Sequence, residues 1–273
     1  MRLIDNALRC SLAASLAYLS PTQLVAARRA WRHSGLFTSV RDGSEYAGRL
    51  ATDFTFAEQV VEPSTQASAT IFRSEAGEAC VAFRGSTSMQ NFRSMFALDL
   101  VPLDSDLSIK VHRGYQEASA RLYELLEPAL ERVGPERVVF TGHSYGGGTA
   151  TLCALYHEAD TLITFSAPRV GDAAFARTFD ATPLGANTAH LVHDEDPVLR
   201  QNQPLWDALG YSNVGRVVRC SATQPLLLDT ADAPPAGVAW NPLSHCRYLG
   251  TYMGPRTREF KWKLKPNYTP SRS

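Results

Sequence analysis

Apolar, largely β-branched runs recur along the chain at Ala69–Phe72, Ala79–Phe83, Arg137–Thr141, Leu162–Phe165, Ala189–Val192, Gly215–Cys220 and Pro225–Leu228. Between them lie helix-like stretches at Gln116–Val133, Gly146–Glu158 and Asp172–Phe179, with a weaker one at Gln203–Leu209. Leu8–Leu19 reads as an amphipathic helix ahead of the first strand. In Gln116–Val133, Ala120, Leu122, Leu125, Leu126 and Leu130 fall largely on one face, with charges on the other. Strands alternating with helices in this way predict an α/β protein, a mostly parallel central sheet flanked by helices. Glu62–Gln66 and Ala231–Gly237 are polar and proline-bearing and read as loops, and Lys265–Ser273 reads as a frayed tail. With no internal repeat and no dividing linker, a single domain over residues 1–273 is expected.

Composition narrows the function classes. The formal net charge is zero, which argues against a nucleic-acid partner. Arg256–Lys265 is locally basic and carries Phe260 and Trp262. It reads first as an edge strand with one solvated face, and second as a contact with a lipid surface. No apolar run approaches the roughly eighteen residues of a membrane span, so no transmembrane segment is expected. The region Cys10–Leu19 is only weakly apolar and lacks a convincing cleavage site, so there is no clear export signal; localisation stays open between the cytoplasm and a signal-independent route out. Cys10, Cys80, Cys153, Cys220 and Cys246 are an odd number without metal-type spacing. Cys80 and Cys153 fall in apolar segments and read as free buried thiols, whereas a Cys220–Cys246 bridge cannot be argued from sequence.

The chemistry concentrates at Gly142-His143-Ser144-Tyr145-Gly146, between the strand-like Arg137–Thr141 and the small, apolar helix-like segment after it. G-x-S-x-G in that setting describes a nucleophile elbow, a strand-to-helix turn that holds a serine Oγ proud of the sheet. The bare alternative is a glycine-rich turn that contains a serine. Residues two before and two after the serine approach neighbouring backbone too closely for a Cβ. A serine hydroxyl is a weak nucleophile near neutral pH and needs a base, with an acid behind the base.

In α/β-hydrolases the chain order is serine, then Asp or Glu, then histidine. His33, His112 and His143 precede Ser144, His157 lies on the following helix, and His190 and His193 belong to a strand-like run before an acidic cluster. His245 alone follows that cluster, in a loop, and is the candidate base. The acid lies among Asp194, Glu195 and Asp196. Asp196 precedes Pro197, which would end the strand and turn the carboxylate toward the carboxyl edge of the sheet, and Asp194 is its rival. Asp172 reads as the start of a helix instead.

Taken together these residues resemble the class 3 lipases, the fungal-lipase-like branch of the α/β-hydrolases, from about Tyr18 to Tyr248. Val81-Ala82-Phe83-Arg84-Gly85-Ser86 looks like that family's strand ending in F-R-G-S/T, and Val111-His112-Arg113-Gly114-Tyr115 like its V-H-x-G-F block. Thr164–Gly171 is similar to T-F-G-x-P-R-V-G, Asp196-Pro197-Val198 to the D-P-V element, and Ser244-His245 with Tyr248-Leu249 to the histidine segment. The resemblance implies Asp196 as the acid in preference to Asp194, and an oxyanion hole made by the backbone N–H groups of Tyr145 and Ser86, with the Ser86 hydroxyl as a further donor.

The resemblance also implies a lid at residues 87–100, where Met89, Phe92, Met95 and Phe96 recur at helical spacing. Such a stripe is either core-facing or the apolar face of a small helix over the site, meeting lipid or an acyl chain when it opens. Asp99 would brace the segment, and Val101, Pro102 and Leu103 would line an acyl groove. The chain departs from the family at Tyr145 (usually leucine), Gly148 (usually alanine), Phe92 (commonly tryptophan) and Ser166 (frequently glycine). The bulky Tyr145 ring is expected beside the oxyanion hole, narrowing or redirecting the acyl pocket. The activity implied is cofactor-free and metal-free hydrolysis of carboxylic esters of lipids, most simply by a triacylglycerol lipase or esterase. A phospholipase A1 or galactolipase with the same triad, or a non-catalytic lipase-like scaffold, are the alternatives.

Overall fold

The computed structural model describes residues 3–22, 24, 54–87, 89–103, 106–193, 196 and 204–220. The expected strand at Pro225–Leu228, the loop at Ala231–Gly237, the basic stretch Arg256–Lys265 and the tail lie outside them, as does Cys246. Helix α1 (Leu3–Leu16) leads into β1 (Phe54–Val61), β2 (Ser68–Ser74) and β3 (Glu78–Phe83). Next come α2 (Met89–Phe96), β4 (Leu100–Leu103), β5 (Asp106–His112), α3 (Arg113–Val133), β6 (Arg137–His143) and α4 (Tyr145–Tyr156). β7 (Thr161–Phe165), β8 (Gly171–Asp172), α5 (Ala173–Asp180), α6 (Pro183–Ala186), β9 (Thr188–His193), β10 (Tyr211–Ser212) and β11 (Arg216–Cys220) complete the order.

Seven strands form one sheet in the order β1-β2-β3-β6-β7-β9-β11. β1, β2 and β3 pair antiparallel. From β3 through β6, β7 and β9 to β11 every pairing is parallel. A smaller antiparallel sheet, β10-β8-β5-β4, stands apart from it. β3 and β7 are buried along their whole length, as strands covered on both faces must be.

That cover follows from the strand alternation, which turns successive side chains to opposite faces. Val139, Ile163, Phe165, Leu191 and Val218 pack with Ala7, Cys10 and Ala14 of α1. Val81, Phe83, Val138, Phe140 and Leu162 face the other way, into the larger cluster with Leu122, Leu126 and Leu130 of α3 and Leu152 of α4. Helix α4 is buried from Tyr145 to Ala154, which accounts for a sequence that is small and apolar all round rather than striped. Cys10, Cys80 and Cys153 are free and buried.

The elements agree with the sequence pattern wherever strands are buried, and Asp172 caps α5 by accepting from the Phe175 N–H. Five strands escaped the pattern, among them the two-residue β8 and β10. β1 carries Glu58 and Gln59 and is interrupted by a bulge between Phe56 and Glu58, and β4 and β5 belong to the small second sheet. The parallel registers set Phe83 beside Gly142, His143 beside Phe165, and Phe165 beside Leu191. The segments that follow β3, β6, β7 and β9 therefore leave from one edge of the sheet, its carboxyl edge, where open α/β sheets carry their sites.

Candidate active site

Ser144 joins β6 to α4 with φ 55° and ψ −126°, a left-handed conformation that costs a non-glycine residue on the order of 1–3 kcal/mol. The surroundings hold it there. Its N–H donates to the Phe165 carbonyl at 2.9 Å, and its own carbonyl accepts from the Gly147 N–H at 2.8 Å. A Cβ on Gly142 would stand 2.4 Å from the Gly146 carbonyl oxygen. One on Gly146 would stand 2.3 Å from the carbonyl oxygen of Phe83 and 2.6 Å from that of Arg84. The two glycines thus let the turn close on itself and let the elbow press against the end of β3. Ser144 also sits at the N-terminus of α4, so the helix dipole and the first-turn N–H groups, that of Tyr145 first, favour negative charge beside it.

Asp196 is fully buried just beyond β9, and its N–H donates to the His193 carbonyl at 2.9 Å. β9 lies two strands from β6, about 10 Å at normal strand spacing, a gap of the size an imidazole and two hydrogen bonds can bridge. Asp194, Glu195 and His245 lie outside the described residues. Ser86 is half-buried in the segment after β3, on the edge that carries the elbow, and its Oγ is buried with no hydrogen-bond partner among the described residues. An unpartnered hydroxyl of that kind is free to donate to an oxyanion.

The Tyr145 ring is fully buried in the main core, with its centroid 5.6 Å from that of Tyr115. Burial pushes its phenol up in pKa, and Ser94, Thr149 and Asn91 beside it pull the other way. The ring therefore points beneath α2. The residue contributes its backbone N–H to the elbow and its side chain to the support of that helix. Ser166, the other departure, is buried with a φ of 49°, in the region that favours glycine.

The apolar stripe of α2 splits. Met95 packs against the core, whereas Met89 and Phe96 are 68% and 70% exposed; the side chain of Phe92 lies outside the described residues. The most buried side chain described on this helix is polar, Asn91, at 1% exposure. Asp99 meets Arg113 at 3.3 Å in an exposed pair worth little, and its carbonyl accepts the Arg113 N–H. Val101, Pro102 and Leu103 form β4 and are half-buried.

Four other described histidines are engaged elsewhere. His112 caps α3, its Nδ1 accepting from the N–H groups of Gly114 and Tyr115 while Nε2 donates to the Met95 carbonyl. His157 stacks on Phe140 and bonds to Tyr123, and His190 bonds to Thr164. Burial lowers His112 and His190 to about 4. His143, next to the serine, shares a 2.8 Å hydrogen bond between Nδ1 and the Tyr18 hydroxyl. Sequence reasoning missed Tyr18, whose hydroxyl would lie 2.0 Å from a Cβ on Gly85 and so packs on the strand end that bears Ser86. Among the described residues no group of three His, Cys, Asp or Glu could hold a metal ion, and no helix is long and apolar enough to cross a membrane.

Residues 80–203 match the family model for lipase (class 3). A secreted mono- and diacylglycerol lipase of Fusarium solani is 33% identical over 131 residues, 45% of this chain and 39% of that protein. A lipase of Rhizomucor miehei is 29% identical over 195 residues, 64% of this chain and 52% of that one. The chain therefore spans about half or less of the length of these relatives. The structure of the Rhizomucor miehei triacylglyceride lipase superposes with a TM-score of 0.61 at 22% identity, over 87% of this chain and 90% of that one. A shared fold explains a superposition of that extent, and the elbow, the strand end at Ser86 and Asp196 all fall inside the matched segment. Residues 80–203 thus match the class 3 lipase family, and the chain shares the α/β-hydrolase fold of these lipases.

Proposed function

We propose that this chain hydrolyses carboxylic esters of lipids, acting as a triacylglycerol lipase or esterase through Ser144, Asp196 and His245. The observation that carries the reading is the strained Ser144 elbow at the sheet edge from which buried Asp196 also departs. A backbone held in a costly conformation by surrounding contacts is characteristic of a working site. His245 takes the Ser144 proton as Oγ attacks the ester carbonyl, then returns it to the leaving alcohol. Asp196 orients the imidazole and stabilises its cation. The Tyr145 N–H and the Ser86 N–H and hydroxyl receive the oxyanion, and water releases the acid from the acyl-enzyme. The partner is a lipid or ester substrate.

In the same reading residues 1–273 form one domain, and 87–100 is a lid built on α2. Met89 and Phe96, exposed on that helix, meet the lipid interface, while Met95 anchors it to the core. Exposure to a fluorophosphonate tests the assignment: a single adduct on Ser144, located by mass spectrometry, is expected. Absence of an adduct in folded protein would point to the non-catalytic scaffold.

A further inference from the structure

Among the described residues the hydroxyl of Ser86 makes no hydrogen bond, so other groups hold the strand end that carries it. The start of β2 and the loop before it do so from both sides. Before Ser86, the Arg84 N–H donates to the carbonyl of Ser68, the first residue of β2, at 3.0 Å, and Arg84 Nη2 donates to the Gln66 carbonyl in the loop at 3.2 Å. After Ser86, the Thr87 N–H donates to Asn91 Oδ1 at 3.2 Å, while Asn91 Nδ2 donates to the Thr65 carbonyl at 2.8 Å. The loop is itself stiff. Glu62 Oε1 accepts from the Ser64 N–H at 2.9 Å and from its hydroxyl at 2.7 Å, and Oε2 accepts from the Thr65 N–H at 2.6 Å and from its hydroxyl. Burial would raise the Glu62 carboxyl, but these bonds override it and hold the group down at about 2.

We propose that Asn91 is a positioning residue for the oxyanion-hole strand end, clamping the segment after Ser86 to the Glu62 loop. The inference rests on the hydrolase reading above. Fixed donors stabilise an oxyanion only while their geometry is held, and a displacement of an ångström costs up to about a hundredfold in rate. Asn91 belongs to α2, so the same amide ties the placement of that helix to the placement of Ser86. A helix cap would need only the Oδ1 contact to the Thr87 N–H. The second contact, to a loop more than twenty residues away, is what a clamp adds.

Asn91→Asp separates the two roles, because it keeps an acceptor for Thr87 and removes the donor to Thr65. Both Asn91→Ala and Asn91→Asp are expected to lower kcat for a soluble p-nitrophenyl ester roughly tenfold, with KM within about twofold. Amide exchange across residues 84–87 should quicken in both. Parental kcat in a folded Asn91→Asp or Asn91→Ala protein would overturn the proposal, as would unchanged exchange in that segment. A parent chain that neither hydrolyses ester nor reacts with fluorophosphonate would count against the hydrolase reading. The exchange comparison would still decide the clamp.

Discussion

Tyr115 lies directly over Gly148: a Cβ at position 148 would stand 2.8 Å from Cε1 and Cζ of the ring. Tyr145 packs against the same ring and both are fully buried, so neither aromatic can retreat into open space. Two departures from the family, Tyr145 and Gly148, are thus one packing solution. The larger side chain after the nucleophile is accommodated by the missing methyl three residues later. Gly148→Ala should gain about 1 kcal/mol of helix propensity and lose about 1–3 kcal/mol to overpacking, for a net destabilisation. In a Tyr145→Leu background the penalty should shrink, giving a coupling above about 0.5 kcal/mol in a double-mutant cycle of urea unfolding. Additive effects would show that the two positions are independent.

Strain at the elbow should be recoverable as stability. Ser144 is held at a φ that glycine adopts freely, so Ser144→Gly is expected to stabilise the fold by about 1 kcal/mol while abolishing turnover. Ser144→Ala removes the hydroxyl and keeps the strain, and should leave stability nearly unchanged. Thermal unfolding of the three proteins checks this. A glycine variant no more stable than the alanine variant would mean that the conformation is not costly.

Acid should weaken the fold before it protonates the carboxylates. Burial holds His112 and His190 at about 4, against an ordinary value of 6.5. Below pH 6.5 the unfolded chain takes up protons that the folded chain refuses. The stability these two groups contribute is therefore complete above that pH and is lost as pH falls toward 4. The slope should be about 1.4 kcal/mol per pH unit for each histidine. Glu62, at about 2, contributes in a lower window, below its ordinary 4.5, and does not blur the measurement. Urea midpoints at pH 7, 6 and 5 should fall with constant slope, and a flat profile would contradict the assignment.

Much of this site can be read without a structure, for physical reasons particular to each residue. Gly142 is legible because the contact it permits, with the Gly146 carbonyl, lies within four residues of chain, Gly146 because it completes the G-x-S-x-G pattern, and Asp196 because it opens the D-P-V element. The burial of Asn91 is not legible. The apolar residues around it suggest a stripe, yet its amide is drawn inward by the Thr65 carbonyl, twenty-six residues away. Nor could Tyr145 be placed, since its neighbour Tyr115 reaches it only through the packing of α3 on α4. β1, β4 and β5 were missed because strands with polar and irregular positions, two of them at sheet edges, lack the buried pattern that marks β3 and β7.

Substrate choice should follow the exposed apolar residues of α2. Met89→Ser with Phe96→Ser should reduce turnover of emulsified triacylglycerol at least about tenfold and leave a soluble short-chain ester within about twofold. A parallel assay on phospholipid separates a triacylglycerol lipase from a phospholipase A1. Equal losses on soluble and emulsified ester would remove the lid from the account.

The account stands most directly on kcat/KM for a soluble p-nitrophenyl ester, measured for the parent and for Ser144→Ala with matched unfolding curves. Turnover by the parent and a loss of at least about a thousandfold in the variant are expected. A folded Ser144→Ala protein that retains activity within tenfold of the parent would contradict Ser144 as the nucleophile.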